Sequence, residues 1–314
     1  MLVEFDNVEL LHDLVQLHLR DDRHDAAFVV ACLLEHHGSA TPEELQLCHE
    51  LAPGRLIRLT RAPTAEELGR IRHPDDRLSV ENLMAELAHV MSIVMPVGLE
   101  QHGAAQLLEQ DALPARFVET VRYVEQHLGR SLPPLYVANG LALEMVPVPG
   151  DEPRVLLGPE LLASEDQVVV AFATARLLTS ILPGRVHILG RRGTELKVAV
   201  LGTLAYCRPT MKPPDPDGAI GRFREALEGV GHPREELARL VGDLLAKDSK
   251  INLSQWIRAV YCTAARVGLL FCADIRPALD GLRHEPHTIR DLTIFALDRA
   301  YTDLRRELGI SVTV

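Results

Sequence analysis

Apolar residues recur at helical spacing through the first third of the chain. In residues 8–20 they occur at i, i+4 and i+7, which predicts a helix with one apolar face. That face comprises Leu10, Leu14 and Leu17, with Leu11 and Val15 widening it, whereas Leu19 falls outside it.

Start and stop signals predict further helices in the same region. A second helix runs from about Ala26 to near Gly38, and residues 41–44 (Thr-Pro-Glu-Glu) begin a third. Threonine is a preferred N-cap, proline suits the first helical position, and acids in the first turn complement the helix dipole. The second and third helices are predicted to form a helical hairpin, and Thr64 and Ser79 are candidate caps of two more helices.

The pattern changes after residue 112. A helix with Phe117, Val121, Val124 and Leu128 on one face stops at Gly129. Three short β-like segments then follow at 134–139, 141–149 and 153–158. Asn139-Gly140 between the first two segments is a signal for a β-hairpin.

The segment 168–184 is a nearly uncharged helix-length run with one arginine, Arg176, near its middle. Ser164 and Gln167 are predicted to form a capping box before it, and Pro183-Gly184 ends it. Residues 185–190 are predicted to form a strand. The proline-rich stretch 208–221 is predicted to contain a loop, and the remainder is predicted to be helical.

These elements predict an α+β fold that is predominantly α-helical. A helical, tetratricopeptide-like hairpin region would span 1–112, and a region with a small sheet of about three strands and C-terminal helices would span 113–314.

Charge and cysteine usage narrow the class of protein. The 44 acidic and 33 basic residues leave a formal net charge of −11, which argues against general nucleic-acid binding. The five cysteines are odd in number and contain no CxxC pair, so free thiols and a cytoplasmic location are predicted. The acidic N-terminus lacks signal-peptide character, and the apolar runs are short for a bilayer, so no membrane association is expected.

The usual sequence signatures of enzymes are missing. The chain has no phosphate-binding glycine motif, no GxSxG and no HExxH. The His36-His37 pair, the His284/His287 pair and the acidic stretch 21–25 are each predicted to be solvated or helix-end groups rather than metal ligands. Trp256 shares a helical face with apolar residues and is predicted to lie in the core.

One resemblance extends from about residue 113 to 274. A helix ending in Leu-Gly, the strand "PLYVAN", a second strand, "RVLLGPELL" and a capped helix follow one another as in HtpX-like zinc endopeptidases of the gluzincin type. A later helix keeps the family's Ala-x-Arg-x-Gly-Leu skeleton as Ala264, Arg266, Gly268 and Leu269. The chain also resembles bacterial, notably myxobacterial, proteins in which tetratricopeptide-like repeats precede such a degenerate domain.

The resemblance implies that the zinc chemistry is lost. The family's zinc-binding and catalytic positions correspond to Arg176, Leu177 and Ser180 on the first helix and to Tyr261 and Ala265 on the later one. Three protein ligands and a general base are needed for that chemistry. A pseudoenzyme without metal or cofactor is therefore expected.

Three functions remain open after these observations. The first is a non-catalytic scaffold that binds another protein. The second is a hydrolase with non-family chemistry that uses polar groups gathered in the vestigial cleft, namely Arg176, Ser180, His187, Glu195 and Tyr261. The third is a small-ligand sensor. Because a buried guanidinium needs partners, Arg176 is predicted to pair with an acid, with Glu195 and Asp274 as the first candidates.

Overall fold

The computed structural model describes residues 7–51, 55–97, 105–109, 113–150, 152–189, 191–247 and 252–312. Helices dominate it, and a small four-stranded sheet lies in the middle of the chain, which confirms the predicted fold class. The domain boundary at residue 112 stays a prediction.

Six helices precede the sheet. They are α1 (Val8–Arg20), α2 (His24–His36), α3 (Pro42–Leu51), α4 (Ala65–Ile71), α5 (Leu78–Glu86) and α6 (Ala88–Val94). The caps predicted at Thr41 and Thr64 are confirmed, because each hydroxyl accepts from the N–H of a glutamate three residues later. Ser79 was wrong as a cap, since α5 begins one residue before it with Arg77 as the N-cap.

The buried face of α1 is rotated from the predicted one. Leu11 and Val15 are buried, whereas Leu10 and Leu17 are exposed. Leu19, predicted to lie off the face, packs against the core. The periodicity identified the helix correctly, but an apolar residue occurs at so many positions that spacing alone did not fix which side faces α2.

The sheet contains β1 (Ala105–Leu107), β2 (Leu135–Ala138), β3 (Met145–Val148) and β4 (Arg154–Leu157) in the order β1-β2-β4-β3. β1 is antiparallel to β2, β2 is parallel to β4, and β3 is antiparallel to β4. The hairpin predicted at Asn139-Gly140 was wrong, because β4 inserts between β2 and β3. The fourth strand, β1, was not predicted.

Eleven helices alternate with and follow these strands in the described residues. They are α7 (Ala115–Leu128), α8 (Pro159–Leu162), α9 (Gln167–Ser180), α10 (Pro183–Val186), α11 (Gly193–Cys207), α12 (Ala219–Gly229), α13 (Arg234–Lys247), α14 (Leu253–Cys272), α15 (Ile275–Asp280), α16 (Pro286–Ala296) and α17 (Arg299–Glu307).

Two local predictions in this part were wrong. The cap of α9 is Asp166, whose carboxylate accepts from the Val168 N–H at 2.8 Å, while the Ser164 hydroxyl accepts from the Asp166 N–H instead. A strand was predicted at 185–190, of which residue 190 lies outside the described residues. Residues 185–189 instead form the end of the single turn α10 and a further turn, because Pro183 in the first helical position favours helical backbone.

The long helix α14 lies at the centre and packs along α9. Gly268 makes their close approach possible, since a Cβ there would lie 2.8 Å from two ring carbons of Phe172. Trp256 is 2 % exposed, which confirms its predicted place in the core.

The largest apolar core joins α1 and α2 to α7, α9 and the helices from α14 onward, and a second core lies among α5, α6 and α11–α14. Among the described helices, none combines the length and the apolar character needed to cross a lipid bilayer.

Candidate functional site

A cleft of about 1460 Å³ opens beside the sheet. One wall is formed by β3 and the segment before it, and the other by α9, with the segment 272–285 closing one end. Because α9 brings residues three and four apart onto one face, Val169, Ala173, Arg176 and Ser180 all line this space. The cleft is therefore built on regular elements rather than on loops alone.

Arg176 lies on the α9 wall and is only partly buried, with 21 % of its side chain exposed. Its guanidinium donates to the carboxylate of Glu285, which is 33 % exposed and lies immediately before α16. The charge predicted to need a partner thus has one, and the pair ties the cleft wall to the C-terminal helices.

Neither acid predicted as the partner of Arg176 holds it. Glu195 is exposed at the start of α11, where its carboxylate accepts from the Arg192 N–H at 2.7 Å. Asp274 caps α15 and accepts from two guanidinium nitrogens of Arg276, at 2.7 and 3.1 Å. Both acids line the cleft, but a partner two or three residues away already engages each of them.

Arg276 also pairs with a second carboxylate, at the end of the cleft. Its Nη1 donates to Glu35 of α2 at 2.5 Å, so one guanidinium joins α15 to the N-terminal helices. Burial acts to lower the pKa of Arg276, but the bonds to Asp274 and Glu35 outweigh it, and the pKa lies above its usual value. This cation is therefore fixed in its charged state.

The other predicted site residues divide between the cleft and the core. Leu177, Ser180 and Tyr261 line the cleft together with Arg176. Ala265 is fully buried on α14 and does not line it, and His187 is buried in the turn after α10, away from it.

Two polar groups of the cleft lining donate to backbone carbonyls. The Ser180 hydroxyl donates to the Arg176 carbonyl at 2.9 Å, and the Cys272 thiol to the Asp274 carbonyl at 3.1 Å. Burial raises the pKa of Cys272 far above its usual value. His284 is the one histidine among the described lining residues, and it is exposed. In the described part of the chain, the cleft thus offers no cluster of zinc ligands.

The edge strand β3 lines the cleft, and within the described residues no strand pairs with its side away from β4. The Gly158 N–H donates to the Glu144 carbonyl at 3.0 Å, and the antiparallel register continues from there. Backbone N–H and C=O groups alternate in direction along such a pair. Those of Val146 therefore point toward β4, while those of Met145 and Pro147 point away from it. Met145 therefore offers an N–H and a carbonyl, and Pro147 a carbonyl only.

Sequence reasoning missed Glu285, Arg276 and a further arginine that lines the cleft, Arg191. Arg191 donates to the Met95 carbonyl, and burial lowers its pKa. These residues lie at helix ends, where a charge is ordinary, so the sequence carried no signal that would single them out.

Comparison of the chain with protein-family models, with curated proteins and with solved structures gave no match. The resemblance to gluzincin peptidases remains a prediction from the residues named above, and the function has to be argued from the cleft.

Proposed function

We propose that this protein binds an extended segment of another protein in the cleft and acts there as a scaffold, without catalysis. The observation that carries the proposal is the edge strand β3, which borders an open cleft beside the apolar helix α9.

The backbone of β3 supports recognition by strand addition. A segment lying along β3 would bond to the N–H and carbonyl of Met145 and to the carbonyl of Pro147, while its alternate side chains would point toward α9. The proline limits the strand to one outward donor, which reduces pairing with unrelated strands. Main-chain bonds would supply affinity, and the wall at Val169, Ala173 and Leu177 would select apolar side chains.

The size of the cleft favours a peptide over a small ligand. Pockets for small molecules measure roughly 300–1,000 Å³, and this cleft is about 1460 Å³. No feature of the described lining favours one particular small molecule. The geometry therefore does not support the alternative function of a small-ligand sensor.

The hydrolase alternative lacks support from the described residues. Leu177 is apolar at the position where the resemblance places a general base, and Ser180 donates to the backbone of its own helix. General-base catalysis requires the base within about 3 Å of the proton that it removes, and no such base is seen at Ser180.

Selection from a displayed library of random short peptides tests the proposal. We expect the intact chain to enrich peptides with alternating apolar residues. Ala173→Trp should abolish their binding, because Ala173 lines the cleft and the indole would fill it. Ala246→Trp is the matched control, since Ala246 is exposed on α13 and does not line the cleft.

Two results would contradict the proposal. One is a failure to enrich any peptide with the folded wild-type chain. The other is equal binding by the two tryptophan variants. Mass spectrometry of the bound peptides adds a separate readout: intact peptides agree with a non-catalytic role, and cleaved peptides would favour the hydrolase.

A further inference from the structure

The helical hairpin α2–α3 brings together two thiols and a carboxylate. Cys32 and Glu35 lie one turn apart on α2, and Cys48 faces them from α3. One ligand atom from each of the three residues lies within 4.8 Å of the others. Both cysteines are fully buried, and neither forms a disulfide.

We propose that Cys32, Glu35 and Cys48 form a zinc-binding site that links α2 to α3. This inference is independent of the proposed peptide-binding role of the cleft. Soft thiolates select zinc over calcium or magnesium, and thiolates with a carboxylate are an established type of zinc ligand set. Three protein ligands leave one position of the tetrahedron for water or another group.

The geometry requires little movement. In a tetrahedral zinc site with bonds of about 2.0–2.3 Å, ligand atoms lie roughly 3.2–3.8 Å apart. The three atoms, within 4.8 Å of one another, would need to close by at most about 1–1.6 Å. Rotation about the side-chain bonds of Glu35 and the cysteines can supply that distance without moving either helix.

Arg276 engages one of the two carboxylate oxygens of Glu35. Oε2 accepts from Arg276, whereas among the described contacts Oε1 lies 3.7 Å from the exposed His49 imidazole. Arg276 is also held by both oxygens of Asp274. Glu35 can thus bind a metal through Oε1 while Arg276 stays paired.

Charge is conserved when zinc replaces the thiol protons. A zinc ion with two thiolate ligands displaces two thiol protons and adds two positive charges, so the local net charge is unchanged.

Titration of the reduced, metal-free chain with cobalt and zinc tests the site. Cobalt should bind once per chain and give a thiolate-to-cobalt charge-transfer absorption, which zinc then abolishes by displacement. Cys48→Ser should eliminate this absorption. Glu35→Gln should keep it but weaken zinc binding, measured against a chromophoric chelator, at least about tenfold.

Two matched variants separate ligand loss from general damage. Cys262→Ser removes another buried thiol, on α14, and Asp274→Asn disturbs Arg276 but leaves the three ligands in place. Both should bind zinc within about threefold of the wild type. Circular dichroism establishes that each chain is folded.

The proposal is overturned if the folded wild-type chain shows no charge-transfer absorption with cobalt. It is equally overturned if the absorption persists in Cys48→Ser, or if Glu35→Gln binds zinc as tightly as the wild type does. An increase in the unfolding temperature with added zinc, absent in Cys48→Ser, would support it independently of the spectra.

Discussion

Replacement of Asp25 by asparagine should destabilise the whole chain. Asp25, at the start of α2, accepts from Arg305 of α17 at 2.8 Å through each carboxylate oxygen, and from the Val312 N–H at 2.8 Å. Arg305 is fully buried and also donates to the Ala273 and Ile310 carbonyls and to the Tyr301 hydroxyl. All five guanidinium N–H groups are therefore satisfied.

The magnitude follows from this geometry. An asparagine at position 25 would remove the negative charge, and whichever way the amide turns, its NH₂ group would face an N–H donor. Removing one partner of a buried ion pair costs about 3–5 kcal/mol, because the other charge is left without compensation. At roughly 2–4 °C for each kcal/mol, the unfolding temperature should fall by about 6–20 °C.

Thermal unfolding followed by circular dichroism measures the effect. Asp303→Asn, on α17, is the control, since Asp303 is 30 % exposed and pairs with the exposed arginines 299 and 306. Exposed pairs contribute about 0–1 kcal/mol, so this variant should unfold within a few degrees of the wild type. Equal shifts in the two variants would refute the reasoning that the buried pair joins the two ends of the chain.

Two further predictions concern packing and pH. Gly268→Ala should destabilise the protein by about 1–3 kcal/mol in urea unfolding, because its Cβ would meet the Phe172 ring at 2.8 Å. Gly242→Ala, with open space around it on α13, should be neutral or stabilise by up to about 1 kcal/mol, and the opposite order would contradict the packing argument. The Arg61 side chain, then the Thr64 backbone, lowers the pKa of Glu67 from 4.5 to about 2. The ionised Glu67 carboxylate therefore stabilises the fold above pH 4.5, and this stabilisation is lost as the pH falls toward 2. Over that interval Glu67→Gln should lose less stability than the wild type does. Identical pH profiles of the two proteins in urea unfolding would contradict this prediction.

Local signals in the sequence predicted most helices and three strands, because caps, glycines and apolar spacing act over a few residues. Thr41, Thr64 and Gly129 each mark a helix end that the structure confirms. The order of the strands could not be predicted in this way. The Asn139-Gly140 turn satisfies local backbone preferences, yet the pairing of β2 with β4 depends on how α8 and α9 pack against the sheet.

The partners of buried charges also could not be predicted from the sequence. Arg176 attracted notice because it interrupts an apolar helix, but the fully buried Arg305 lies in a polar segment, 280 residues from Asp25. The stretch 21–25 was predicted to be a solvated turn, and Asp25 is instead 13 % exposed and bonded to Arg305. A charge paired across such a separation leaves no local pattern.

The same limit applies to the cleft. From the sequence, the apolar helix with its single arginine indicated that α9 lines a site. The pairing of Arg176 with Glu285 could not be predicted, because it depends on how α16 packs against α14.

Hydrogen exchange of the chain with and without a selected peptide tests the central claim most directly. If a partner segment adds to the edge of the sheet, the outward N–H of Met145 should exchange more slowly in the complex, because it becomes the donor of a new inter-strand bond. Amides at the exposed face of α1 should be unchanged. Protection that appears elsewhere and spares Met145 would contradict the account.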